Sequence, residues 1–333
     1  MSGSTRARLL MLSTGGTIAG RASDSTQLNH YSAGVIPGEQ LLAAVPQLRA
    51  LADIQVEQIA NVDSADLQFT HWQQLVGRLR GALAADPGLD GVVITHGTNT
   101  LEETAWLLEL LVDDPRPVVL VGAMRPATAL SADGPLNLYQ GVEVACSSAA
   151  RGQGVLVVMD GQIHGAREVT KVATQGVGAF DSIGRGPRGW VDDVGVHLPP
   201  ARSDRLVPFA GLQLADPWPL VAILHGCVEP PDALIPALLK AGVQGLVFTG
   251  TGAGQLSTIE RSALEKWDGP MPLMLRANRC GSGPVHRCEE HARLGLLPAG
   301  MLSAQKARVL LLLALMDGLN REQLAALIQV TIA

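Results

Sequence analysis

Leu9-Leu10-Met11-Leu12-Ser13-Thr14-Gly15-Gly16-Thr17 and Val92-Val93-Ile94-Thr95-His96-Gly97-Thr98-Asn99-Thr100 decide the reading of this chain. Each begins as a short apolar run, the pattern of a buried strand, and ends in a turn of threonines and glycine. Open α/β sheets place their ligands at such strand ends. A threonine hydroxyl there becomes a nucleophile once a base is near, and glycine lets a substrate approach the backbone.

Further buried strands are expected at Val118–Gly122, Gly154–Met159, Leu220–Leu224, Gly245–Thr249 and Met271–Leu275. Helical patterns lie between them, at Val35–Val45, Trp72–Ala85, Thr100–Val112, Leu136–Ser147, Ala233–Ala241, Thr258–Trp267 and Ser303–Leu319. Thr100-x-x-Glu103 has the form of a capping box, so a helix is expected to start just after the second turn. The alternation predicts an α/β fold: a larger N-terminal, doubly wound, mainly parallel sheet and a smaller C-terminal α/β domain. Five prolines between Pro199 and Pro219, with the polar run Arg202-Ser203-Asp204-Arg205, read as a linker. The expected domains are 1–199 and 218–333, joined by 200–217. The polar stretch from Gly20 to Gly34 follows the first turn directly and has the character of a lid.

The chain has 333 residues, 47% of them hydrophobic, enough for two cores. Net charge is −6 without a basic block, and aromatics are 3%, which argues against nucleic acid and anionic membranes as partners. Cys146, Cys227, Cys280 and Cys288 have neither zinc-site nor disulfide-framework spacing and read as reduced thiols. With a polar start to the chain and no run of spanning length, a cytoplasmic protein is expected. His164, His286 and His291 lack ligand spacing and read as surface or loop residues, and His96 as a residue that satisfies backbone groups. No metal and no cofactor is expected.

The chemistry-bearing residues are the hydroxyls of Thr14, Thr17, Ser64 and Thr98, with Lys171 and Tyr31. A lysine whose pKa is lowered by desolvation can serve a threonine as base, a combination suited to acyl transfer on an uncharged carbonyl. Phosphate loops, a dinucleotide fingerprint after the first strand, and the Gly-x-Ser-x-Gly elbow are all missing.

Thr14-Gly15-Gly16-Thr17-Ile18-Ala19-Gly20, Ile94 to Thr104, Val121-Gly122-Ala123-Met124-Arg125-Pro126, Ser131-Ala132-Asp133-Gly134-Pro135 and Gln305 to Leu311 together resemble the bacterial L-asparaginases and glutaminase-asparaginases of the two-domain, threonine-nucleophile type. The resemblance implies hydrolysis of L-asparagine, or of L-glutamine, through an acyl-enzyme. It implies Thr14 as nucleophile and Tyr31, in the lid, as its activator. Ser64 would hold the substrate α-carboxylate. Thr98 and Lys171 would belong to a Thr–Asp–Lys relay, and the assembly would be a homotetramer of intimate dimers.

One motif position departs from the family. The second motif is expected to read His-Gly-Thr-Asp-Thr, and this chain has Asn99. Asparagine keeps the size of aspartate and loses its charge, so the substrate ammonium and Lys171 both lose a charged partner. The same pocket is altered at Ala65, where glutamine is frequent, and at Ala253, where asparagine is common. The carboxylate lent by a neighbouring subunit corresponds to Cys288 or Glu290. The leading expectation is an asparaginase slowed by Asn99. A weak asparaginase-like binding protein and an amidase for a related carboxamide are the other readings.

Overall fold

In the computed structural model, residues 6–201 and 205–332 are described. Met1 to Thr5 of the polar start and Arg202-Ser203-Asp204 of the expected linker lie outside the described residues. The chain divides into two compact units, Met1–Val207 and Pro208–Ala333.

The elements of the first unit are β1 (Ala7–Gly15), α1 (Gly38–Ala43), α2 (Leu48–Leu51), β2 (Ala52–Val62), α3 (Phe69–Ala85), β3 (Gly91–Thr95), α4 (Leu101–Leu111), β4 (Val118–Val121), α5 (Gly134–Cys146), β5 (Val155–Met159), β6 (Gln162–Gly165), β7 (Val169–Lys171), β8 (Phe180–Ser182), β9 (Gly189–Asp192) and β10 (Gly195–His197). Eight strands form one sheet in the order β10-β9-β6-β5-β4-β3-β1-β2. The five from β2 to β5 are parallel, and β6, β9 and β10 extend the sheet antiparallel. β7 and β8 form a separate antiparallel pair. The central strands β3, β4 and β5 are buried along their whole length, as expected of strands covered on both faces. β1 sits between β2 and β3, so the chain leaves it toward one edge and returns on its other side. That reversal opens a crevice at the carboxyl ends of β1 and β3, and both threonine–glycine turns are there.

The turns are held against each other by glycine. Gly16 has φ +81°, and a Cβ on it would lie 2.1 Å from the Gly97 Cα. A Cβ on Gly97 would in turn meet the Ser64 Oγ at 2.6 Å. No side chain fits at either position without moving backbone or the Ser64 side chain. Below the turns, the buried hydroxyls of Ser13 and Thr95 join β1 to β3 at 2.8 Å.

The second unit has β11 (Val221–His225), α6 (Leu234–Lys240), β12 (Gly245–Gly250), α7 (Thr258–Glu265), β13 (Leu273–Asn278), α8 (Glu289–Arg293), β14 (Leu296–Pro298), α9 (Ala304–Met316) and α10 (Arg321–Ile332). Its four strands are parallel in the order β11-β12-β13-β14. The core helix α9 buries Leu310, Leu311, Leu312 and Leu313. Among the described residues no helix is long and apolar enough to cross a membrane.

Two expectations need correction. The capping box at Thr100 does not form, because the Thr100 hydroxyl instead donates to the Ser64 carbonyl at 2.9 Å. His164 and His291 are not surface residues: each is at most 1% exposed, and His164 Nδ1 bonds the Ser182 hydroxyl at 2.9 Å. The proline-rich segment, expected as a linker, makes contacts of its own. Arg205 ion-pairs with Glu109 of α4 at 3.0 Å and donates to the Val112 carbonyl at 2.9 Å, and Phe209 is buried.

Gly16→Ala is expected to destabilise the protein by about 2 kcal/mol or more, since it adds left-handed strain to a backbone clash. Urea unfolding of the variant beside the parent measures this. A loss under about 0.5 kcal/mol would mean that the two turns do not depend on this contact.

Candidate active site

Thr14 is the penultimate residue of β1 and only 3% exposed. A register irregularity between Ser13 and Gly15 lifts it out of the regular ladder. Its hydroxyl donates to the Thr95 carbonyl across the crevice at 3.0 Å. The nucleophile candidate is therefore fixed by the neighbouring strand, with lone pairs left over.

Ser64 approaches from the end of β2, at the start of a short 3-10 turn (Ser64–Asp66). Its hydroxyl oxygen, buried with the rest of the residue, accepts the Asn99 N–H at 3.1 Å. Together with the bond from Thr100, this ties the turn before α4 to the end of β2 at two points. Ala65 is exposed, and its N–H is held by the Asp63 carboxylate at 2.9 Å.

Lys171, at the end of β7, reaches the same turn. Its Nζ donates to the Thr98 hydroxyl at 2.8 Å and to the Asn99 Oδ1 at 3.1 Å. Burial lowers its pKa from the ordinary lysine value, and the negative charge of Asp63 opposes the shift. A neutral amine is thus more accessible here than on a surface lysine. The Asn99 Nδ2 donates to the Asp63 Oδ1 at 3.2 Å. Sequence reasoning missed Asp63. Its only signal was adjacency to Ser64.

Tyr31 is placed differently from its expected role. Its hydroxyl bonds the Thr17 hydroxyl at 2.8 Å, one turn past Thr14. The loop carrying it is closed by two rungs, Arg21 N–H to the Ser32 carbonyl at 2.9 Å and the reverse at 3.0 Å. Residues 23–30 at its tip are exposed. His96 is fully buried, with Nδ1 bonding the Gly97 carbonyl at 2.7 Å. Burial lowers its pKa from 6.5 to about 4, so it is neutral near pH 7 and supports the turn.

The remaining candidates belong to the second unit. Glu290 lies on α8, is exposed, and pairs with Arg261 at 3.2 Å. Cys288 is half-buried at the start of that helix. Ala253 is exposed, and its carbonyl accepts from Arg276 at 3.0 Å. The ligand atoms of Cys288, Glu290 and His291 lie within 4.8 Å of one another, a grouping that the spacing of the histidines had not suggested. Burial lowers the His291 pKa, the Arg276 and Arg261 charges add to the shift, and Glu290 opposes it.

Two hydroxyls, a half-buried lysine and oriented backbone at the switch point of a parallel sheet define a hydrolase-type site of the acyl-transfer class. Comparison with known proteins gives the family. Residues 8–202 match the asparaginase N-terminal model and residues 220–328 the glutaminase/asparaginase C-terminal domain. L-asparaginase 2 of Bacillus subtilis is 40% identical over 306 residues, covering 92% of this chain and 81% of its own length. L-asparaginase 2 of Escherichia coli is 38% identical, with 95% of this chain and 91% of its own covered. A crystal structure of a probable cytoplasmic L-asparaginase from Campylobacter jejuni superposes with a TM-score of 0.90 at 36% identity, covering 97% of this chain and 99% of that one. The chain belongs to the L-asparaginase and glutaminase-asparaginase family and is an L-asparaginase-type amidohydrolase.

The buried His96 makes stability depend on pH. Its folded-state pKa lies below the unfolded value, so between pH 6.5 and about 4 the unfolded chain takes up a proton that the folded chain refuses. The contribution is intact above that window and lost as pH falls through it, by about 3 kcal/mol in all. Chemical denaturation at pH 7 and pH 4 should show the parent losing about that much more than His96→Gln. Equal losses would mean His96 is not held neutral.

Proposed function

We propose that this protein hydrolyses L-asparagine to L-aspartate and ammonia, with Thr14 as nucleophile and at a rate limited by Asn99. The observation that carries this reading is the Lys171–Thr98 hydrogen bond beside the Thr14 turn. A lysine with a lowered pKa can take the proton that a threonine-based reaction releases. Thr14 Oγ attacks the carboxamide carbon, the C–N bond breaks, and ammonia leaves with a proton. Water, activated at the Thr98–Lys171 pair, then cleaves the ester. Ser64, with its hydroxyl proton still free to donate, suits the substrate α-carboxylate. Tyr31 is assigned the activation of Thr14, which requires it to leave Thr17. Ala65 and Glu290 complete the proposed substrate contacts, Glu290 from a neighbouring subunit. L-glutamine is a second candidate substrate, since the glutaminase-asparaginase of Pseudomonas fluorescens is 37% identical, with 93% of this chain and 86% of its own covered.

The limit set by Asn99 is electrostatic. Its neutral oxygen stands 3.1 Å from Lys171, where an aspartate would hold a full charge next to the amine and to a substrate ammonium. Asn99 is exposed and Lys171 half-buried, so solvent screens part of this loss. A transition state weakened by about 1.4 kcal/mol slows the reaction roughly tenfold. Four free thiols, among the described residues, support a reducing, cytoplasmic location.

Thr14→Ala is expected to abolish ammonia release from L-asparagine, and Asn99→Asp to raise it about tenfold or more. Steady-state assays of the three forms, with intact-mass detection of an acyl adduct on Thr14, measure both. Undiminished release by Thr14→Ala would remove the nucleophile assignment. Equal turnover by parent and Asn99→Asp would remove the charge argument.

A homotetramer of tight dimers is the proposed assembly, and it would cover apolar side chains such as Trp190, Val194 and Val228, which are more than half exposed. Light scattering at micromolar concentration is expected to give four chains. A fully active monomer would overturn it.

A further inference from the structure

The site is short of one charge at position 99, yet a carboxylate stands directly behind it. Asp63 caps the turn that carries Ser64, and its Oδ1 accepts both the Ala65 N–H at 2.9 Å and the Asn99 Nδ2 at 3.2 Å. The other end of the same amide accepts from Lys171 at 3.1 Å. Asn99 therefore bridges a carboxylate and a lysine, and its orientation is settled by chemistry. An ionised carboxylate only accepts and a lysine ammonium only donates, so the NH2 must face Asp63 and the oxygen Lys171.

We propose that Asp63 is the positioning carboxylate of this active site, acting through the Asn99 amide on Lys171 and taking over part of the electrostatic role of the aspartate that position 99 lacks. This rests on the proposed L-asparagine hydrolysis for its kinetic consequence, but not for its electrostatic one. A hydrogen bond from a carboxylate polarises the amide, which makes its oxygen a better acceptor for the lysine. Aspartate at 99 would lack the NH2 and would meet Asp63 acceptor to acceptor. Asn99 and Asp63 thus fit each other.

The groups around Lys171 support the assignment. β8 pairs with β7 and places Asp181 opposite Thr170, and the first turn of α4 carries Glu102 and Glu103. Asp63, from the end of β2, is the group whose charge raises the Lys171 pKa against the effect of burial. None of the roles proposed above for Thr14, Tyr31, Ser64 or Thr98 uses Asp63.

The test removes the charge and keeps the shape. In Asp63→Asn the side-chain oxygen still caps Ala65 and still accepts from Asn99, so the turn persists and the melting temperature should stay near that of the parent. Two readouts follow, in the parent, D63N, N99D and the D63N/N99D double variant. The first is the pH dependence of competitive acylation of Lys171, read by peptide mass spectrometry. D63N is expected to move its half-labelling point to lower pH, because the anion that favours the ammonium is gone. The second is L-asparagine hydrolysis across pH. D63N should lose about tenfold in kcat/KM, mostly in kcat, with the ascending limb of the profile shifted to lower pH. In the N99D background the carboxylate is supplied directly, so the double variant should keep at least a third of the N99D activity.

An unmoved Lys171 labelling curve in D63N overturns the proposal. So does an equal fold-loss from D63N in both backgrounds, which would mark Asp63 as a residue that only holds the turn. A shifted labelling curve in a protein that releases no ammonia from L-asparagine would instead support the bridge and overturn the proposed hydrolysis of L-asparagine.

Discussion

The contact between Gly16 and Gly97 is the constraint on which the site depends. Two loops that end neighbouring parallel strands normally diverge, because each must enter its own connection. Here both lack Cβ atoms where they meet, and the backbones approach more closely than any side chain permits. The approach brings the end of β1, carrying Thr14, against the turn before α4, carrying Thr98 and Asn99. It also leaves just enough room for Ser64 from β2, whose hydroxyl would meet a Cβ on Gly97. Three parallel strands thereby converge on one small volume at the sheet's reversal. The local cost is visible at α4. Thr100 gives up the cap of its own helix to bond the Ser64 carbonyl, so helix propensity yields to the seam.

The electrostatics of the crevice are set by burial more than by paired charge. Lys171 and His96 both have lowered pKa values, and desolvation is the leading cause for each. They are used differently. His96 bonds its neighbour's carbonyl and stays neutral, so it supports the turn. Lys171 faces two oxygens, from Thr98 and Asn99, and remains able to exchange a proton with the hydroxyl. The Lys171 bond to the Asn99 Oδ1 has a charge on the donor side at most, where an aspartate would place one on the acceptor side as well.

Much of the fold was legible because the central strands are buried on both faces. Gly91–Thr95, Val118–Val121 and Val155–Met159 are runs of apolar residues that the sequence marks by continuity alone. β2 was not legible for the opposite reason. As the edge strand it exposes one side, and Asp53, Gln55, Glu57 and Gln58 break its apolar pattern. The short antiparallel strands β6 to β10 are too brief for periodicity to register. The site was legible where a motif carries it, at Thr14, Thr98, Asn99 and Lys171. Asp63 was not, since an acidic residue before a serine reads as ordinary turn chemistry. Only the fold brings it against Asn99, 36 residues along the chain.

The loop bearing Tyr31 joins these strands of argument. Both of its ends are fastened to the first turn: the Gly34 N–H donates to the Gly16 carbonyl at 3.0 Å, and the Ala19 carbonyl accepts from Val35 and Ile36. Its early part docks on the segment after β4, where the Ala127 N–H reaches the Gly20 carbonyl at 3.0 Å and the Thr128 hydroxyl accepts the Ala22 N–H at 2.9 Å. Movement of the whole loop would break these bonds together. Among the described residues, movement of its later limb breaks the two Arg21–Ser32 rungs and the Tyr31–Thr17 bond. The Tyr31 ring also packs against Gly20, where a Cβ would come within 2.9 Å of it, so glycine makes room for the side chain. A shift of residues 28–33 about Gly34 would therefore break the fewest bonds in freeing the Tyr31 hydroxyl for the role proposed for it at Thr14. That shift leaves the Gly16–Gly97 seam, and the threonines it positions, unmoved.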